Sequence, residues 1–529
     1  MYMIDFPFRP TARSLVRLIK SISPTSPSAL LEAQTLHSFL TKTGLLSSNE
    51  FISSALTSLY SYLGRILCAR KLFDEMPQPG MVFHTAMARA YVAVNRPTEA
   101  LVLFRAMRSG GLSLDPVALA TAITACRQLG GDPKPAKVIH GFIVTSGTEI
   151  DPFVSTELIR IYGGSYELAL SHKIFDAMPV KTVVAWNAII HQFVKHGEIQ
   201  TGYRLFIEMP NRDAISWNTL ISGYCQVGQC REALSAFRDM LSSQVKPNIL
   251  TMCTVLSACA SIGMLETGIW VHSYIERNCM SFDGSLDHCL IDMYAKCGSI
   301  EKAVQVFEKV PMRRDLYSWT SVICALAMHG IAIDAVQMFA RMQQVGVPPD
   351  EVTFVGVLNA CAHGGLIEKG FQYFYSMKEM YGLAPKIEHY GCMIDLLGRV
   401  GRLKEAYDLI MGMPMKPNAV MWGTLLSACK VHNNVELGEV AAAKVIELDP
   451  HDPWSRVMLS NMHAEAQDWS EVMKLRKELK GIGMRKTPGC SLIEISGEVN
   501  EFVAGGNLHP QHAEIFALLA NVEAHMHIN

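Results

Sequence analysis

Apolar residues recur along this chain at three- and four-residue spacing, in blocks about a dozen residues long that end near a Gly or Asn. That spacing predicts short amphipathic helices joined by tight turns. Within the pattern, a Phe is followed three positions later by Met or another apolar residue at Phe73, Phe104, Phe175, Phe206, Phe237, Phe307 and Phe339. The separations are 31, 71, 31, 31, 70 and 32 residues, and the two large gaps are each about twice 35, so the chain repeats with mixed periods near 31 and 35. Units starting at Glu50, Met81, Pro116, Pro152, Val183, Ala214, Ile249, Gly284, Leu316, Glu351, Ile387 and Ala419 have lengths of 31, 35, 36, 31, 31, 35, 35, 32, 35, 36 and 32.

In this register the fifteenth position holds Gly64, Gly130, Gly197, Gly228, Gly263, Gly298, Gly330, Gly365 and Gly401, with Asn95 and Asn433 in two further units. Gly and Asn are the residues that tolerate the left-handed conformation ending a helix, so each unit reads as helix, turn, helix. In the unit from Pro152, Tyr166 takes that place and Gly163 and Gly164 come early, which predicts a distorted turn. Ala100 with Phe104, and Ala335 with Phe339, stand on one face of a second helix, placed to pack on the neighbouring unit. Such units stack into an all-α solenoid, a superhelix of either hand with a concave groove.

The same register accounts for the tryptophans and cysteines. Trp186, Trp217, Trp319 and Trp422 stand at position four, and Cys126, Cys259, Cys361 and Cys429 at position eleven. Four thiols in equivalent places of different units cannot form one metal site and read as packing residues. No Cys-x-x-Cys occurs among the 14 cysteines, so reduced thiols and a reducing compartment are expected, with no metal and no cofactor. The 18 histidines read as solvent-facing or groove-edge residues.

Composition adds exclusions. Hydrophobic residues make up 49% and charged residues 18%, which excludes a disordered chain. A net charge of -2 gives no bulk support for nucleic-acid binding but leaves room for a local basic groove. The uncharged stretches 247–265 and 316–333 each read as a helix plus a turn, and no membrane partner is expected. Near the start, Arg9, Arg13, Arg17 and Lys20 alternate with apolar residues while Asp5 is the sole acid before Glu32, a composition that predicts organellar import, to the mitochondrion with the chloroplast as alternative. Residues 14–20 also read as the first helix of the array.

The segments VVAWNAIIHQFVKHGEIQTGYRLFIEMPNRD, HCLIDMYAKCGSIEKAVQVFEKV and AISWNTLISGYCQVGQCREALSAFRDM resemble pentatricopeptide repeats of the land-plant type that alternates ordinary, long and short units, known as PLS. The long units begin at Pro116, Ile249 and Glu351, and LLEAQTLHSFLTKTGL resembles the end of one more. VHNNVELGEVAAAKVIELDP, LSNMHAEAQDW and TPGCSLIEISGEVNEFVAGG resemble the family's E and E+ motifs. The resemblance implies a right-handed superhelical solenoid. It divides the chain into a targeting leader at 1–13, the repeat array at 14–418, two E motifs at 419–486 and a truncated E+-like extension at 487–529.

It further implies binding of single-stranded organellar RNA, about one base per repeat, selected by the fifth and last residues of each unit. In this sequence these pairs are Thr85 with Asp115, Thr156 with Thr182, Asn187 with Asp213, Asn218 with Asn248, His288 with Asp315, and Thr320 with Asp350; Ser54 with Gly80 is a further, less usual pair. Thr with Asp implies G, Asn with Asp implies U, the double Asn a pyrimidine, and the double Thr a purine. The fifth residues of the long units, Ala120, Cys253 and Val355, should specify little. An Asp or Asn just before a helix is equally an ordinary N-cap.

Relatives that carry a zinc cytidine deaminase show His-x-Glu with a later Pro-Cys-x-x-Cys. Here His512-Ala-Glu514 has no such partner, and His196-Gly-Glu198 and His463-Ala-Glu465 repeat the triplet elsewhere, so the chain is expected not to be an enzyme. Three functions follow, in order of expectation. The first is site recognition for C-to-U RNA editing, with a deaminase-bearing repeat protein in trans and multiple organellar RNA editing factors as partners. The second is a role in transcript splicing, stability or translation, and the third is a protein-binding solenoid.

Overall fold

The computed structural model describes residues 11–23, 28–112, 114–130, 133–146, 151–280, 285–309, 315–481, 489–495, 498–504 and 510–526. Every unit start read from the sequence is the first residue of a helix, except Gly284, which lies outside the described residues; there the helix is Ser285–Lys296. Each first helix is followed by a second, as Val183–Lys195 is by Ile199–Glu208, and Leu316–Met328 by Ala332–Gln344. No helix among the described residues is long and apolar enough to cross a membrane.

The turns take the path the glycines predict. The fifteenth-position glycines from Gly64 to Gly401 hold φ between +64° and +84°, and Asn95 and Asn433 lie at +56° and +54°. The unit from Pro152 departs from expectation: its turn is not distorted. Tyr166 adopts φ +62°, and the Glu167 N–H donates to the Tyr162 carbonyl at 2.9 Å, as the Ile331 N–H does to Leu326 at 2.9 Å. The left-handed residue costs about 1–2 kcal/mol without glycine. The Tyr166 ring lies 4.6 Å from that of His196, which offsets part of it.

The chain forms two compact bodies, one ending at Gly228 and the other beginning at Gln229. Within each, a first helix packs on its own second helix and on the first helix of the next unit. The position-four tryptophans are buried and meet the landmark phenylalanines edge to face, Trp186 on Phe175 at 4.6 Å, Trp217 on Phe206 at 4.7 Å and Trp319 on Phe307 at 4.8 Å. The position-eleven cysteines are buried too, and burial pushes the thiols of Cys126 and Cys361 up to about 12 and that of Cys429 to about 11.

The histidines correct the sequence reading, because many of them join one unit to the next. The last carbonyls of a helix have no partner within it. His196 bonds the Gly163 carbonyl at 2.6 Å, His329 that of Ala295 at 2.7 Å and His363 that of Ala327 at 3.0 Å, each on the preceding first helix. A second set bonds the Tyr at position eleven of the following unit: His37 with Tyr60 at 3.0 Å, His140 with Tyr162 at 3.0 Å and His272 with Tyr294 at 2.8 Å.

Burial holds the imidazoles of His37, His140 and His272 below their ordinary value, against an opposing pull from Glu75 on His37 and from Glu276 on His272. The unfolded chain therefore binds protons more readily than the folded one. Stability is complete above the unfolded imidazole value of about 6.5 and falls as pH drops through it toward the lower folded values. Urea midpoints measured at falling pH should decline in that window, and His140→Gln should flatten the decline.

Beyond the array, Ala419–Val431 with Val435–Leu448, and Pro453–Glu465 with Trp469–Gly481, form two helical hairpins over the segment expected to hold two E motifs. An antiparallel pair follows, β1 (Cys490–Ile495) and β2 (Glu498–Val503), with Cys490 opposite Val503, and then the helix His512–Met526. The strands are an addition to the all-α expectation. At the other end, Ala12–Ser21 is a packed helix with Leu15 and Ile19 buried, so the expected leader overlaps it at Ala12 and Arg13; residues 1–10 of that leader lie outside the described residues.

Candidate nucleic-acid interface

The last residue of a unit stands at the N-terminus of the next first helix, and the fifth residue stands one turn inside the preceding one. Because first helices lie side by side, residues well separated in sequence become neighbours. Asn187 Nδ2 donates to Asp213 Oδ1 at 3.1 Å. Asp213 also accepts from the Ser216 N–H at 2.9 Å and the Ser216 hydroxyl at 3.1 Å. Burial alone would raise the Asp213 carboxyl, but the donors Ser216, Asn187 and Ile215 outweigh it and hold the group below its ordinary range, so it is ionised at neutral pH. The Asn187 Oδ1 is buried without a hydrogen-bond partner.

Thr320 reaches Asp350 through a relay. Its hydroxyl lies 2.7 Å from that of Thr353, which donates to Asp350 Oδ1 at 2.7 Å, so Thr320 is left donating to Thr353. Thr85 and Asp115 line one groove of about 340 Å³ together with Ser54, Lys20 and Arg89. The Thr85 hydroxyl is buried without a partner.

The other pairs are looser. Thr156 donates back to the Pro152 carbonyl of its own helix at 2.7 Å, so the structure shows no bond joining it to Thr182. Asn218, in the first body, is buried in its helix. Asn248, in the second, forms a capping box with Thr251. His288 is half-buried, 6.1 Å from the ring of Tyr317.

All six last-position residues cap the helix that follows. Asp115 accepts from the Ala118 N–H at 2.7 Å, Thr182 from Ala185 at 3.2 Å and Asp213 from Ser216 at 2.9 Å. Asn248 accepts from Thr251 at 3.0 Å, Asp315 from Ser318 at 2.9 Å and Asp350 from Thr353 at 2.8 Å. A cap uses one face of the side chain and leaves other lone pairs available.

Two features escaped the sequence reading. The second residue of most units is a large apolar side chain pointing away from the core: Phe51, Val117, Phe153, Val184 and Ile215 in the first body, Leu250, Tyr317, Val352 and Val420 in the second, from 47% exposed at Val117 to 72% at Val420. The signal was present, since helical periodicity calls for a polar residue at that place. The second feature is a cluster of Arg160, His191 and Lys195 on adjacent first helices, in which Arg160 also pairs with Glu157 at 3.1 Å. Burial, then Lys195 and Arg160, lower the His191 imidazole, which reports a local positive field in a chain of net charge -2.

None of the three His-x-Glu triplets forms a metal cluster. His196 is bonded to Gly163, and His463 is buried between Glu439 at 3.4 Å and Asp468 at 3.6 Å. The ring of His512 lies 4.4 Å from that of Phe516. No group of His, Cys, Asp and Glu suited to a metal occurs among the described residues.

A helical-hairpin solenoid whose first helices carry rows of polar pairs between apolar rungs defines the class. Comparison with known proteins gives the family: this chain belongs to the pentatricopeptide repeat proteins. The PPR repeat matches residues 82–112, 184–213, 288–314, 352–381 and 388–416, the PPR repeat family 212–261, the pentatricopeptide repeat domain 309–364 and the E motif 432–494. The chain is similar to the Arabidopsis thaliana pentatricopeptide repeat-containing protein At4g14820, 40% identical over 509 residues, which cover 96% of this chain and 70% of that one. It is also similar to At2g22410, mitochondrial, from the same plant, 38% identical over 90% of this chain and 70% of that one. A third relative there, At1g08070, chloroplastic, is 40% identical over 98% of this chain and 70% of that one. Among solved structures, that of PPR10 from maize is similar with a TM-score of 0.54 and 18% identity, covering 90% of this chain and 81% of that one, which supports the solenoid fold.

Proposed function

We propose that this chain is a sequence-reading single-stranded RNA-binding protein of a plant organelle, of the PLS type, which marks a site for C-to-U editing while a deaminase is supplied in trans. The reading is carried by the Asn187 and Asp213 pair, where a fixed carboxylate orients an amide whose buried carbonyl has no partner. A base edge brought to that point supplies the missing donor, and the apolar second residues above and below offer surfaces for its faces. Arg89 and Lys195, for which no ion pair is recorded among the described residues, stand where phosphates would pass.

The E motif over residues 432–494 supports the editing role. The names of two relatives, one mitochondrial and one chloroplastic, support an organelle and leave both open.

Sequencing of organellar RNA from a loss-of-function plant should show one or a few cytidines left unconverted. Upstream of each should lie a G opposite Thr85 and Asp115, a U and a pyrimidine in adjacent places opposite the two Asn units, and a G opposite Thr320 and Asp350. Intact editing with a splicing or accumulation defect in one transcript would replace this reading with the RNA-processing role.

A further inference from the structure

The first E hairpin keeps the geometry of a base-reading unit while its chemistry changes sign. In the register of the array, Gly423 is the fifth residue of the unit from Ala419, Asp452 is the cap before the next first helix, and Trp454 is that helix's second residue. These residues line a groove of about 370 Å³ with Val420, Thr424 and Asp449. At the fifth position there is no side chain to read a base. A Cβ added to Gly423 would make ordinary contact with the indole of Trp454 at 3.4 Å, so the ring lies beside the helix at the place where a reading side chain would stand.

Trp454 remains 42% exposed, so part of its apolar surface is open to a partner. Where the array's groove holds Lys20 and Arg89, this one holds two carboxylates and no cation. The Asp452 carboxylate accepts from the N–H groups of Trp454 at 3.3 Å and Ser455 at 2.8 Å, its backbone carbonyl accepts from Arg456 Nη1 at 2.7 Å, and the Asp449 carboxylate accepts from the His451 N–H at 3.1 Å. Neither carboxylate takes part in an ion pair among the described residues, Arg456 being paired with Glu478 at 3.9 Å.

A phosphate backbone is repelled here. An exposed indole beside two carboxylates that hold only backbone N–H groups suits a planar cation that stacks on the ring and donates paired hydrogen bonds from its rim. We propose that this groove is a docking site for an arginine side chain of a protein partner, so that the chain changes from reading RNA to holding protein at the first E hairpin. Guanidinium fits better than ammonium, because only the planar group satisfies ring face and carboxylates together. The site stands independently of the editing reading and would serve a processing factor equally.

The test uses the full chain labelled with 5-fluorotryptophan, in which the Trp454 resonance is assigned by its loss in Trp454→Phe. Titration with the peptide Gly-Arg-Gly should shift the Trp454 signal with millimolar affinity and leave the other tryptophans in place. The citrulline peptide, neutral and of equal shape, should give no shift, and the lysine peptide a weaker one. Asp449→Asn with Asp452→Asn should abolish binding while the fold persists, because Asn remains a good N-cap. Equal binding of citrulline, a Trp454 shift with short RNA in place of arginine, or no response to arginine would each overturn the proposal.

Discussion

Trp319→Ala is expected to lower the stability of the body that contains it by about 3–5 kcal/mol, the usual cost of emptying a large aromatic site that the surroundings cannot refill. Trp319 is fully buried, meets Phe307 at 4.8 Å, and lies under the Arg341 guanidinium at 5.9 Å, so helices of three positions in the array lose contact at once. A repeat array transmits stability through nearest neighbours, so the loss should appear as a split or early guanidinium transition, followed by circular dichroism, and not as uniform weakening. Phe51→Ser removes a ring of similar size that is 65% exposed and should change the midpoint little, by about 0.5 kcal/mol or less. Equal costs for the two substitutions would show that the assignment of core and rung faces is wrong.

The second large effect concerns specificity. Asn187→Thr removes the amide whose carbonyl has no partner and leaves Asp213 without its donor at 3.1 Å. The family code implies that U at the facing nucleotide should give way to G. An unsatisfied buried polar group costs about 1–3 kcal/mol, so the ranking of the two bases should reverse by roughly tenfold or more in each direction. Fluorescence anisotropy with four RNAs that differ at that nucleotide alone reads this directly. Asp213→Asn controls for folding, since it keeps the cap. An unchanged ranking of the four RNAs would refute the register.

How much was legible in the sequence depends on how local the cause is. Helix starts and left-handed turns follow from residues within a few positions of the event, so Gly330 and Asn433 announced their turns, and Pro116 or Glu351 their helices. Tyr166 was misread because the turn is imposed by the packed helices on either side and tolerates an unsuitable residue. The histidine bonds were hidden since each partner is a carbonyl or phenol some two to three dozen residues away, fixed only once units stack. β1 and β2 were missed although two short segments rich in β-branched residues, with Ile493 and Ile495 before Ser-Gly and Val499 and Val503 after it, form a hairpin signal, which helical repeats upstream overshadowed. Of the site, the pair Asn187 with Asp213 was nameable from the resemblance, but their hydrogen bond, the Thr353 relay and the unpartnered carbonyl required coordinates.

The caps at the last positions carry one more implication. Asp115, Thr182, Asp213, Asn248, Asp315 and Asp350 all hold a helix N-terminus with the side chain assigned to reading, so a change of target is confined to the few residues that begin a helix well. Within that short alphabet of Asp, Asn, Ser and Thr, exchange is nearly free of a folding cost. A lineage of such proteins can thus move from one transcript to another by single steps without passing through unstable ancestors, and an engineer retargeting this chain inherits the same allowance.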